Sequence, residues 1–105
     1  MDDQGFALTI FDCEHLVCGR IAWLKDPARR PFQCGKTIVW GLVGQGPNEW
    51  TAGSILDPDN GTKYQLSAKL QAGNTLNVRI FKGLPQLGET EVLKRIDLRS
   101  LTDRC

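Results

Sequence analysis

The sequence predicts an all-β domain, an antiparallel meander of short strands curling into a small barrel. Three observations predict it. Apolar and polar residues alternate with a period of two along most of the chain, and clusters of Gly, Asn, Asp and Pro punctuate that alternation. No segment carries a capped helical pattern longer than a turn or two. The 105 residues fit one domain, 1–105, because either half alone would be too small to bury a core.

Taken in order, Phe6, Leu8 and Ile10 alternate with Ala7 and Thr9, and Cys18 to Leu24 forms a second early strand. Ile38 to Leu42 is a short apolar run that suits a strand or a single helical turn equally. Trp50 to Leu56 reads as a strand ending in the turn-forming cluster Asp57-Pro58-Asp59-Asn60-Gly61. The strongest pattern is Thr62 to Leu70. Tyr64, Leu66, Ala68 and Leu70 fall on one face there, with Lys63, Gln65, Ser67 and Lys69 on the other. Leu76, Val78 and Ile80 repeat it, interleaved with Asn77 and Arg79, and Ala72-Gly73-Asn74-Thr75 supplies a hairpin turn between the two runs. Tyr64, Leu66, Leu70, Val78 and Ile80 are therefore expected to face the core. Glu89 to Ile96 closes the series after the 83–88 loop, and the tail from Asp97 to Cys105 suits either a short helix or a frayed end. A meander of six or seven strands removes its edges by curling into a barrel.

Composition narrows the function. The chain is 41% hydrophobic and 24% charged with a net charge of +1, which gives no electrostatic case for nucleic-acid or membrane-surface binding. No apolar run is long enough for a spanning helix, and Met1-Asp2-Asp3-Gln4 is not the start of a signal peptide. A soluble domain with no nucleic-acid partner and no membrane insertion is expected. The segment Lys25 to Lys36 carries four positive charges against one negative, the pattern of a solvated loop.

The residues that could carry chemistry are few. Cys13 and Cys18 flank a predicted turn, where they can close a short disulfide or pack as two reduced thiols. Cys13, His15, Cys18 and Cys34 could instead be offered to zinc, but two close cysteines and a single histidine lack the paired spacing of a metal motif. No metal or other cofactor is expected. Cys105 is expected to be a free thiol on a mobile tail. Trp23, Trp40, Trp50 and Tyr64 are candidates to line a barrel interior, with Arg20 and Arg79 holding an anionic head group there. Trp23 and Ile21 are expected to share a face opposite Arg20, Ala22 and Leu24. Asp57 and Asp59 read as turn formers and Glu89 and Glu91 as residues of an exposed strand edge. No nucleophile elbow, phosphate loop or metalloprotease helix is present, so the domain is read as a non-enzyme.

Several motifs together resemble a bacterial family catalogued as domain of unknown function 2147. They are Cys13-Glu14-His15-Leu16-Val17-Cys18-Gly19-Arg20-Ile21-Ala22-Trp23-Leu24-Lys25-Asp26-Pro27, Phe32-Gln33-Cys34-Gly35, Trp40-Gly41-Leu42, Trp50-Thr51-Ala52-Gly53-Ser54-Ile55-Leu56-Asp57-Pro58 with Gly61 and Tyr64, and Gly83-Leu84-Pro85-Gln86-Leu87-Gly88-Glu89-Thr90-Glu91. The resemblance covers residues 6–96 and leaves the tail 97–105 outside it. It implies an exported, periplasmic or secreted protein with a lipocalin-like (calycin-like) barrel, and an oxidising compartment that favours the Cys13–Cys18 bond. It implies no assigned activity. Family members open with a strand carrying Gly-x-Trp, which this chain lacks along with a signal peptide, so the barrel is expected to be open along one side. Two functions follow from that architecture. One is a binding module for a small apolar or amphipathic ligand. The other is assembly, as a homodimer, through an exposed strand edge.

Overall fold

Among the described residues, each strand after the first is paired with the one before it in sequence. The computed structural model describes residues 5–72, 74–101 and 104–105. It contains β1 (Phe6–Cys13), β2 (Leu16–Leu24), β3 (Thr37–Gly44), β4 (Glu49–Leu56), β5 (Lys63–Gln71), β6 (Thr75–Phe81) and β7 (Glu89–Lys94). They form one antiparallel sheet in sequence order, a meander curled into an open half-barrel. The undecided run Ile38 to Leu42 lies within β3, so it is strand.

The hairpins follow from local chemistry. β1 and β2 are joined through Glu14 and His15, both at positive φ (51° and 70°). That is the two-residue turn whose twist matches a hairpin. β5 and β6 pair Leu70 with Leu76 and Gln71 with Thr75, with Asn74 at φ 63°; Gly73, named in the expected turn, lies outside the described residues. The 57–61 cluster forms Asx turns, Asp59 N–H donating to Asp57 Oδ1 at 2.9 Å and Thr62 N–H to Asn60 Oδ1 at 2.8 Å.

Register decides which side chains face inward. Leu66 pairs with Ile80 and Ala68 with Val78, and Leu66 and Val78 are 3% and 6% exposed. With Ile21, Leu24, Ile38, Val39 and Leu42 they form the core, against which Leu8, Trp50, Ile55 and Leu76 pack. Burying one such side chain stabilises the fold by about 1.5–3 kcal/mol. Bulges bend the sheet: pairing shifts between Ala7 and Leu8 opposite β2, and again around Gly19 opposite β3. In β4, Ala52 sits at positive φ (61°) where pairing to β5 shifts between Trp50 and Gly53. Gly53 has no room for a side chain, since a Cβ there would lie 2.6 Å from Leu42 Cδ2.

The loop between β2 and β3 is better ordered than a solvated basic segment. Asp26 caps a 3-10 turn at Pro27–Arg29 by accepting from Ala28 N–H, and one α-helical turn follows at Arg30–Gln33. Arg30 donates to the Leu24 carbonyl at 2.8 Å. Gln33 is buried and donates to Asp59 Oδ1 at 2.8 Å, and Arg29 pairs with the same carboxylate at 3.4 Å. These contacts tie the β2–β3 loop to the β4–β5 loop at one end of the half-barrel.

Two disulfides are present. Cys13–Cys18 spans a sequence separation of 5 with Cα atoms 6.0 Å apart, across the β1–β2 hairpin end. Cys34–Cys105 spans 71 residues with Cα atoms 5.3 Å apart. The expected free Cys105 on a mobile tail is therefore corrected. The chain end is bonded to the β2–β3 loop, and Cys105 N–H donates to the Ala22 carbonyl at 2.8 Å. Of the tail, in which residues 102 and 103 lie outside the described residues, Leu98–Ser100 forms a 3-10 turn. Its Asp97 carboxyl is held below the usual carboxylate range, first by the Arg99 side chain and then by the Arg99 backbone N–H.

Candidate functional site: the concave face of the half-barrel

The concave side of the sheet holds three adjoining hollows that share walls. Near the loop end, a cavity of about 580 Å³ is lined by apolar residues including Ile21, Leu24, Ile38, Ile55 and Ile80, with Tyr64 among them. Arg29, Asp57, Asp59, Lys82 and Glu89 lie on its border. A central hollow of about 170 Å³ is bounded by Leu8, Val39, Leu42, Leu66, Val78 and Leu93, with Glu91 as its one charged residue. Toward the hairpin end, a cavity of about 660 Å³ lies between β1 and residues 94–96 and includes Trp50. The two larger hollows fall in the size range of small-molecule sites, which are mostly apolar with a few polar groups.

The open side is set by strand direction. Six antiparallel pairings separate β1 from β7, so the two edge strands run the same way and cannot close on each other with antiparallel hydrogen bonds. A seam remains between them. Ile10, whose side chain faces the central hollow, is 50% exposed at that seam.

The aromatic residues named from the sequence divide between the two faces. Trp50 pairs with Ala68 and Tyr64 with Ile55, and both line the concave hollows. Trp40 pairs with Ser54, on the opposite face from Val39 and Ile55. Trp23 pairs with Ala7, on the opposite face from Leu8 and Ile21. The bulge at Ala22 is the cause: it places Ile21 and Leu24 together inside and turns Trp23 outward, contrary to the expected sharing of a face by Ile21 and Trp23.

Both arginines also lie outside. Arg20 pairs with Thr9, and its guanidinium stacks over the Phe11 ring, 5.2 Å from the centroid. Arg79 pairs with Ser67 and Thr90 and donates to Thr90 Oγ1 at 2.9 Å. Neither guanidinium is therefore on the concave side, where the sequence suggests a head-group contact for Arg20 and Arg79. Two carboxylates take the reverse position. Glu89 pairs with Ile80 and Glu91 with Val78, so both project to the concave side. The alternation of β7 against Val78 and Ile80 carried that signal, but it depends on a pairing register the sequence leaves open. Cys13 and Cys18 are bonded to each other and Cys34 to Cys105, which removes the three thiols of the zinc alternative as thiolate ligands. Among the described residues no group of three or more His, Cys, Asp or Glu is placed to hold a metal, and no helix is long and apolar enough to cross a membrane.

Comparison with known proteins agrees with this architecture. The family described as "Uncharacterized protein conserved in bacteria (DUF2147)" matches residues 2–95. A solved structure from the human pathogen Helicobacter pylori, of a protein described as belonging to the lipocalin family, superposes with a TM-score of 0.72 at 12% identity. The alignment covers 89% of this chain and 73% of that one. At that identity the likeness concerns the fold alone. No curated protein sequence matches the chain.

Proposed function

The chain belongs to the family of uncharacterized proteins conserved in bacteria, DUF2147, and we propose that it is a non-catalytic binding module for a small apolar or amphipathic ligand held against its concave face. The observation that carries this reading is the run of adjoining hollows lined by Leu8, Leu42, Leu66, Val78 and Trp50. Apolar area left unfilled there forgoes about 25 cal/mol per Å² that a matching ligand would recover. Charged residues border the loop-end cavity, where the polar end of an amphipathic ligand would meet water. The lipocalin-like fold supports the same reading. Two disulfides favour an oxidising compartment, which supports a site of action outside the cytoplasm. An apolar fluorescent probe should bind the folded protein saturably and raise its melting temperature by mass action. A probe that binds only the unfolded chain would overturn the proposal.

A second reading rests on the unpaired edges of β1 and β7. Free backbone groups on such edges can pair with a strand of another copy, and sedimentation would then show a concentration-dependent dimer. Glu89, Glu91 and Lys94 on the β7 edge weigh against it, because charges on edge strands discourage strand addition.

A further inference from the structure

We infer that the ligand of the concave face is a cationic amphiphile, an alkyl chain with an ammonium head group received by Glu89 and Glu91 of β7. The inference rests on the ligand-binding reading above. It adds the charge of the head group and the direction in which the ligand lies.

The two carboxylates interrupt an otherwise apolar wall. Glu89 pairs with Ile80 and Glu91 with Val78, so both share the concave side with those residues, about 7 Å apart along the strand. Glu89 lines the loop-end cavity and Glu91 the central hollow. Glu91 is half-buried, and every other residue bounding its hollow is apolar, Leu66, Val78 and Leu93 among them. A carboxylate drawn partly out of water against such a surface costs free energy that a donor or a counter-charge would offset. Among the described residues, neither glutamate side chain has a hydrogen bond or an ion pair.

The other charged groups of these two hollows are already engaged. Arg29 lies between Asp59 at 3.4 Å and Asp26 at 3.6 Å. Lys82 stands over the Tyr64 ring, 5.5 Å from its centroid. Asp57 accepts from the Asp59 N–H at 2.9 Å, and Asp59 from Gln33 at 2.8 Å. Across the seam, β1 contributes Phe6, Leu8 and Ile10 to the central hollow, which bring no charge. An anionic head group placed there would meet two carboxylates that nothing compensates, and would be repelled. An ammonium group would meet two acceptors, in charge-assisted hydrogen bonds that are stronger than neutral ones.

The order of residues along β7 sets the direction of the ligand. From the loop end toward the hairpin end its concave side reads Glu89, Glu91, Leu93, and Leu93 pairs with Leu76. Beyond them the hairpin-end cavity offers Leu70 and Trp50. An alkyl chain fits that end, with its head group at Glu91 and Glu89. Asp12, Lys94 and Arg95 border the same cavity, but all three are exposed, and Lys94 pairs with Thr75 on the convex side of β7. Inward-pointing charges also protect an edge strand from pairing with another chain, a role the experiment separates from recognition.

The test titrates three ligands that share a decyl chain, namely decylammonium, decanol and decanoate, below their micelle concentrations and near neutral pH. Calorimetry reads Kd for the wild type, Glu89→Gln/Glu91→Gln and Glu49→Gln. Glu49 lies outside the hollows, is exposed and pairs with Lys69 at 3.5 Å, so its loss removes the same charge away from the site. The wild type should bind decylammonium about tenfold more tightly than decanoate, with decanol between them. The double variant should lose that preference and Glu49→Gln should keep it. Decanoate binding as tightly as decylammonium to the wild type would overturn the head-group assignment, with no variant needed. A preference that survives in the double variant would overturn it too, and a new dimer by sedimentation would then assign the glutamates to edge protection. Either result leaves the ligand-binding reading standing. Failure of all three ligands to bind the folded wild type would instead overturn that reading, and this inference with it.

Discussion

The concave and convex faces of this one sheet are built on different terms. The concave face is apolar from β1 to β7, through Leu8, Val39, Leu42, Leu66, Ala68 and Val78, and the charged residue lining its central hollow, Glu91, is on the edge strand β7. The convex face carries Thr9, Ser54, Gln65, Ser67, Arg79 and Thr90, together with Trp23 and Trp40, both half-buried. The difference shows that aromatic residues need not mark a binding wall. Two of the three tryptophans cover the outside of the sheet, and the candidate cavity is lined mainly by aliphatic residues.

The sharpest way to test that division is to place the same charge on each side of one strand. Val78→Asp should unfold the domain, because an unpaired carboxylate in the core costs several kcal/mol, roughly the whole stability of a small domain. Arg79→Asp, one residue along and on the convex face, should cost no more than about 1 kcal/mol. Urea denaturation distinguishes them, and equal effects would mean that the β5–β6 register is wrong.

The disulfides contrast a local clip with a long-range tie. By chain entropy, removing Cys34–Cys105 should cost about 4 kcal/mol and removing Cys13–Cys18 about 2 kcal/mol. Paired Cys→Ser variants measured by urea denaturation check the order, and the reverse order would show that the tail is not anchored in the folded state. A smaller effect separates two glycines of the neighbouring strands β3 and β4. Gly53→Ala drives a methyl into Leu42 and should cost about 1–3 kcal/mol. Gly44→Ala meets nothing within 4 Å, and should be close to neutral by the same urea denaturation.

Much of the fold could be read in the sequence, because alternation and turn chemistry act locally. The Tyr64–Leu70 and Leu76–Ile80 runs show their faces directly, and the Asp57–Gly61 cluster shows its turn. What could not be read lies where the period of two is interrupted. A bulge adds one residue and reverses every later assignment, which is why Trp23 lies opposite Ile21 and why Ile38 and Val39 are both buried. Glu89 and Glu91 illustrate a related limit, since an edge strand's faces depend on its partner's register. The Cys34–Cys105 bond joins residues 71 apart, and no local pattern connects them. Of the candidate ligand wall, Trp50 and Tyr64 lie on the concave face, whereas Trp23, Trp40, Arg20 and Arg79 lie outside it.

The most direct measurement uses that separation of the tryptophans. Two proteins, each keeping one indole, are prepared: Trp23→Phe/Trp40→Phe, which retains Trp50, and Trp23→Phe/Trp50→Phe, which retains Trp40. Both are titrated with a brominated medium-chain alcohol, whose bromine quenches an indole only at contact. Binding on the concave face predicts saturable quenching of Trp50, with Trp40 showing only the linear collisional response. Saturable quenching of Trp40 with Trp50 unaffected would contradict the account.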